Sequence, residues 1–176
     1  NHERVTIVSD GTRKHVMALW GDDAILQAPG QGTIADSYPI PVEPGAKYEV
    51  TVWARSTGPQ SRVLIEGYQW APGIKPHPDP EYFEMRKVYK FSQLYFSDKK
   101  EGTMSTLDKT WRKATVVIPD PGMSSSADAQ KALKKIKFYM LHICAIGGGT
   151  GTLYIDDVSI KKIGMLPPPA PKPATP

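Results

Sequence analysis

Hydrophobic and polar positions alternate along most of this chain, with a period of two. The runs RVTIV (4–8), HVMALW (15–20), AKYEVTVWARS (46–56), RVLIEGYQW (62–70), RKATVVIP (112–119), IKFYMLHICAI (136–146) and TLYIDDVSI (152–160) are rich in β-branched and aromatic residues. Such runs predict half-buried strands, because successive side chains on a strand point to opposite faces. Turn chemistry punctuates them at SDG (9–11), APGQG (28–32), EPG (43–45), DPG (120–122) and GGGTG (147–151). Seven or more strands with this punctuation predict an all-β protein, a sandwich of two antiparallel sheets. One helical signal interrupts the pattern: SSSADAQKALKK (124–135) offers a serine cap followed by strong helix formers.

Two stretches leave the rhythm. Residues 71–109 form a long excursion whose prolines forbid an early strand, while EYFEMRKVY within it reads as a helical turn or two. Insertions of this length serve as functional loops or as covers over a sheet. At the other end, LPPPAPKPATP (166–176) reads as an extended spacer. The expected organisation is one domain over 1–164 with a Pro/Ala-rich linker over 165–176, a module belonging to a longer, multi-part extracellular protein.

Composition narrows the function classes. With 40% hydrophobic and 23% charged residues the chain is ordinary for a globular protein, and no apolar run is long enough to insert in a membrane. Its net charge of +4 is spread out, and KALKKIK (131–137) reads as a solvated face rather than a nucleic-acid groove. The lone Cys144 excludes an intrachain disulfide framework and reads as a small core residue. The four histidines lack zinc spacing, and His142, in an apolar run, reads as a core histidine. No nucleophile elbow, HExxH, P-loop or dinucleotide fingerprint is present, and GGGTG joins two strands as a hairpin. A glycosidase needs two flanking carboxylates, and nothing in the spacing pairs Glu66 with Glu81 or Glu84. The expectation is a protein that is not an enzyme.

In order, IPVEPGAKYEVTVWARS (40–56), Trp111 leading TVVIP (115–119), KIKFYML (135–141) and GTLYIDDVSIKKI (151–163) resemble the jelly-roll carbohydrate-binding modules of the family 4, 9, 16 and 22 type. The usual opening strand of that grouping is not visible here, and the 71–109 insertion is longer than in its shorter members. The resemblance implies a jelly-roll β-sandwich that binds polysaccharide or glycan, in a secreted or bacterial cell-surface setting. It also implies a structural calcium ion (Ca2+) held by closing-strand aspartates, here Asp156 and Asp157. The residues themselves leave a second option, in which both aspartates only accept local backbone hydrogen bonds. Leu153, Ile155, Val158 and Ile160 cannot share one face of a regular strand, so a β-bulge is expected at the pair.

Sugar sites need aromatic platforms edged by polar groups. Alternation sends Tyr48, Val50, Val52, Val63 and Ile65 inward and Trp53, Arg55, Glu66, Tyr68 and Trp70 outward. If the two strands are neighbours, those last five form one binding surface. The competing reading has the insertion fold over these aromatics as a second small core. Trp111, opening its strand, reads as structural. A structural or adhesive sandwich packing against other domains or assembly subunits is the alternative function.

Overall fold

The strand AKYEVTVWARS shows how the pattern becomes structure. In the computed structural model, which describes residues 2–27, 32–96, 105–120 and 127–167, this run is β5 (Ala46–Ser56). Tyr48, Val50, Val52 and Ala54 are buried in the core, and Glu49, Trp53 and Arg55 on the opposite face are not. Its neighbour β10 (Gly151–Met165) brings Leu153 and Ile155 to the same core. Around this pair lies the front sheet, in the order β1 (Val5–Asp10), β2 (Arg13–Gly21), β10, β5, β8 (Arg112–Ile118). The back sheet runs β3 (Thr33–Asp36), β9 (Phe138–Gly148), β6 (Pro59–Trp70), β7 (Met85–Leu94), with β4 (Ile40–Pro41) also paired to β9. Every pairing is antiparallel. The chain is an all-β sandwich, as the alternation predicts.

Between the sheets, Val50, Val52 and Leu153 from the front join Val63, Ile65, Tyr139 and Leu141 from the back in one core. Tyr48 and Tyr139 meet edge to face at 6.0 Å. Gly67 makes one close approach possible, since a Cβ there would lie 2.7 Å from Tyr89 Cβ and 2.8 Å from Ile136 Cδ1. Short helices lie at the ends: α1 (Asp23–Leu26), capped by Asp22, and α2 (Ala127–Leu133) within the stretch read as helical.

The expected bulge is present. Ile155 pairs with Ala54 and Ile160 with Val50, so five steps on β10 oppose four on β5, and the register shifts between Asp156 and Ser159. Asp157 takes the slack at φ 47, a left-handed conformation that a short polar side chain tolerates.

Two expectations are corrected. The 71–109 stretch is not wholly an excursion: residues 85–94 form β7, paired along β6, and its helical part is a single 3-10 turn at Tyr82–Glu84. The pattern hid this strand because Arg86, Lys87, Lys90 and Gln93 dilute its apolar positions. The fold also continues past 164. β10 runs to Met165, Leu166 N donates to Gly45 O, and Gln130 Nε2 donates to Pro167 O. The turn residues 28–31 and 121–122, the serine cap 124–126, insertion residues 97–104 and the spacer beyond Pro167 lie outside the described residues.

Candidate functional site on the front sheet

The topology separates the five outward residues. β5 belongs to the front sheet and β6 to the back sheet, so Trp53 and Arg55 lie on one outer face of the sandwich and Glu66, Tyr68 and Trp70 on the other. They do not form one surface. The inward and outward assignments were right, but adjacency in sequence did not mean adjacency in a sheet.

On the back sheet, the segment after β6 folds over the aromatics. Ala71 N donates to Glu84 O at 2.8 Å, closing the neck of a loop over 71–84. Trp70 packs edge to face on Phe138 at 5.1 Å and against His77 at 5.0 Å, while Tyr68 meets Tyr82 at 5.9 Å. Tyr68, Met85, Phe138 and Met140 form a second small core, with Trp70 against it. Tyr68, 1% exposed, donates to Glu66 Oε2 at 2.5 Å, and Lys87 Nζ reaches Glu66 at 2.6 Å. Burial, with the Glu66 hydrogen bond, pushes the Tyr68 hydroxyl pKa well above the usual tyrosine value. His142 sits between carboxylates, Nδ1 at 2.7 Å from Asp36 and Nε2 at 3.2 Å from Glu66. Cys144 is buried, which raises its thiol pKa.

The front face is open. Thr6, Ala18, Tyr154 and Arg55 stand opposite one another in a row across β1, β2, β10 and β5. Trp20 opposes Thr152 in the next row. Small residues (Thr6, Ala18, Thr152) therefore make a floor, and Trp20, Tyr154 and Arg55 make walls. The result is a hollow of about 320 Å³ that also takes in Arg4, Val8 and Asp10. A second hollow of about 360 Å³, lined by Gly11, Thr12, Arg13, Lys109 and Trp111, shares Asp10 and Arg55 with the first. The two meet across that pair, and each lies at the lower end of the range for small-molecule sites, about 300–1,000 Å³.

The charges on this face come in pairs. Arg55 Nε donates to Asp10 Oδ2 at 2.7 Å, and Trp111 Nε1 donates to the same oxygen at 2.9 Å. The Arg55 hydrogen bond holds the Asp10 carboxyl below its usual pKa, with Trp111 adding to the effect. Arg4 pairs with Asp22 at 3.1 Å and stacks over Trp20, 4.7 Å from the ring centre. Arg55 lies 3.9 Å over Tyr154.

Arg13 answers the question of the paired aspartates. Its Nη1 donates to Asp156 Oδ2 at 2.5 Å and to Asp157 Oδ2 at 2.9 Å, and it contacts both Trp53 (5.2 Å) and Trp111 (4.5 Å). The Asp156 hydrogen bond, aided by Asp157, raises the Arg13 pKa further. Calcium takes six to eight oxygen ligands. Here one guanidinium occupies both carboxylates, and no group of three or more His, Cys, Asp or Glu among the described residues is arranged to hold a metal.

Sequence reasoning missed Trp20, Arg13, Asp10 and Tyr154. A signal for Trp20 existed: it follows Val16 and Ala18 on one face of HVMALW, a bulky ring beyond small neighbours.

No family model matches the chain, and no curated protein matches it. Solved structures do. The enzymatically active domain of bacteriophage CBA120 tailspike protein 4 aligns over 90% of this chain at 13% identity and a TM-score of 0.52. The present chain spans 18% of that one. The N-terminal cellulose-binding domain of Cellulomonas fimi β-1,4-glucanase C aligns over 92% of this chain and 90% of its own, at 17% identity and a TM-score of 0.48. The CBM22-1 xylan-binding domain of Paenibacillus barcinonensis Xyn10C covers 91% and 80%, at 11% identity and 0.46. At 13% identity the likeness to the tailspike domain is one of fold alone.

Proposed function

We propose that this chain is a non-catalytic carbohydrate-binding domain that takes a glycan on the outer face of the front sheet. The observation that carries the reading is the hollow beside Trp20, with its small-residue floor, aromatic walls and rim of paired charges. Sugar rings present apolar C–H faces and a rim of hydroxyls. Trp20, 43% exposed, supplies a stacking surface. Arg4 and Arg55 supply donors, Asp10 an acceptor, and Thr6 and Thr152 hydroxyls that do both. Of the five outward residues named from the sequence, Arg55 alone lines this hollow, while Trp53 packs under Arg13 beside the second one.

Pairing of the charges points to a neutral glycan. Arg4 and Arg55 each already face a carboxylate, so the first hollow offers hydrogen bonds to hydroxyls without a free cation to balance a uronate. The resemblance of residues 40–56 and 151–163 to carbohydrate-binding modules, noted from the sequence, supports the reading.

The test is a calorimetric titration of soluble neutral polysaccharides and one polyuronate, with Trp20→Ala and the back-face Phe83→Ala in parallel. Saturable binding of a neutral glycan, lost in Trp20→Ala and kept in Phe83→Ala, is the expected result. Binding that survives Trp20→Ala removes the front hollow as the site. No binding to any glycan transfers the domain to the structural or adhesive alternative.

A further inference from the structure

A separate hollow of about 360 Å³ lies on the back side of the sandwich, between the β3–β4 connection and the start of the Tyr82–Glu84 turn. Its lining is Asp36, Ser37, Tyr38, Pro39, Pro80, Glu81, Tyr82 and Met140. Tyr38 is 92% exposed and Tyr82 61%, large rings left in solvent on either side of one hollow. Met140, buried, belongs to the small core behind it. Asp36 and Glu81 bring two carboxylates, and no lysine or arginine is among the lining residues, in a chain whose net charge is +4. His142 Nδ1 lies 2.7 Å from Asp36 Oδ1, and the Asp36 side chain stays half exposed.

We propose that this hollow binds a quaternary ammonium group. Aromatic faces carry a negative quadrupole and attract cations, most strongly when the cation is poorly hydrated. A methylated nitrogen is such a cation. Its methyls pack against proline, methionine and ring carbons, while its charge faces Tyr38, Tyr82 and the two carboxylates. The site is distinct from the front hollow: it shares no lining residue with it and does not depend on glycan binding.

The probe is choline, titrated into the full chain and followed by two-dimensional amide NMR. Saturable shifts centred on residues 36–38 and 81–82 are expected. 3,3-Dimethylbutanol, in which carbon replaces the nitrogen, is expected to bind about tenfold more weakly. Tyr38→Ala, at a fully exposed ring that cannot affect folding much, should weaken choline about fivefold, and Tyr38→Phe should restore it. Co-sedimentation with phosphatidylcholine vesicles then separates the two sources of such a group. Binding of free choline alone assigns a free ligand, and binding of both assigns a head group carried on lipid; each upholds the cation site. Equal affinity for the neutral alcohol, unchanged affinity in Tyr38→Ala, or no saturable shift overturns it.

Discussion

The two outer faces of the sandwich start from similar materials and end differently. Each carries aromatics, carboxylates and basic residues on alternating strand positions. On the back, the chain after β6 returns over its own strand, and Tyr68, Trp70 and Phe138 become a small core. On the front, nothing among the described residues returns over β2 and β10, and Trp20, Tyr154 and Arg55 keep water contact around a hollow. The lesson is that an outward aromatic is only a candidate for binding. What decides its role is whether the chain leaving the strand comes back over it. The polar groups record the same difference. Glu66 is buried and takes a tyrosine and a lysine, whereas the front carboxylates take arginines at the rim, where a hydroxyl can still compete.

The contrast breaks most sharply at Phe138. Phe138→Ala empties the middle of the small back core and should cost about 3 kcal/mol in urea denaturation, while glycan affinity at a temperature where the variant is folded stays unchanged. A loss of binding in proportion would mean that the faces are coupled. Next in size is Trp20→Ala, expected to weaken glycan about tenfold or more with little change in melting temperature, because the ring is solvent-facing.

Arg13→Met tests how the front face is held. Removing the shared partner of Asp156 and Asp157 should destabilise by about 1 kcal/mol, since Asp156 is largely covered while Asp157 stays solvated. Chelation should leave the melting temperature of the unaltered protein where it is. A calcium-dependent rise in the Arg13→Met variant alone would show that arginine stands where an ion otherwise would. A rise in the unaltered protein would bear out the calcium expectation.

The smallest effect is one of pH. Asp10 has a folded pKa below its unfolded value, so its contribution is present above the unfolded value of about 3.9 and is lost as pH falls through the lowered folded one. Stability of the unaltered protein relative to Asp10→Asn should therefore be flat from neutral pH to about pH 5 and shrink below pH 4. A difference that vanishes between pH 6 and 7 would point to a histidine instead.

Much of the fold was legible from period-two alternation. β5 and β10 in particular read as strands because Tyr48, Val50 and Val52, then Leu153 and Ile155, repeat without interruption, and even the bulge was visible in the phase slip after Ile155. β7 was not legible, because its solvent-side lysines and arginine mask its apolar positions and four prolines precede it. The site was half legible. Which way Trp53 or Tyr68 points follows from local alternation, but which strand lies beside which is a matter of pairing between residues far apart in sequence. Arg13 meets Asp156 across 143 positions, and no local pattern announces that. Trp20 went unassigned because it ends an otherwise apolar run, HVMALW, in which no polar neighbour marks an outer face.

The extra residue in β10 has a consequence for parity. Up to Asp156 the strand places odd-numbered side chains in the interior; beyond the bulge Ile160 and Lys162 stand opposite Val50 and Tyr48, so even numbers take that side. Removing Asp157 would leave four steps from Ile155 to Ile160, matching the four from Ala54 to Val50, so a plain strand would keep Leu153, Ile155 and Ile160 on the interior side and lose only the local bend. A one-residue deletion at Leu153 or Ile155, where the count already matches β5, should be far more damaging than deletion of Asp157, where the extra residue sits. The chain thus uses a single residue as a phase shifter between two strand segments of opposite parity.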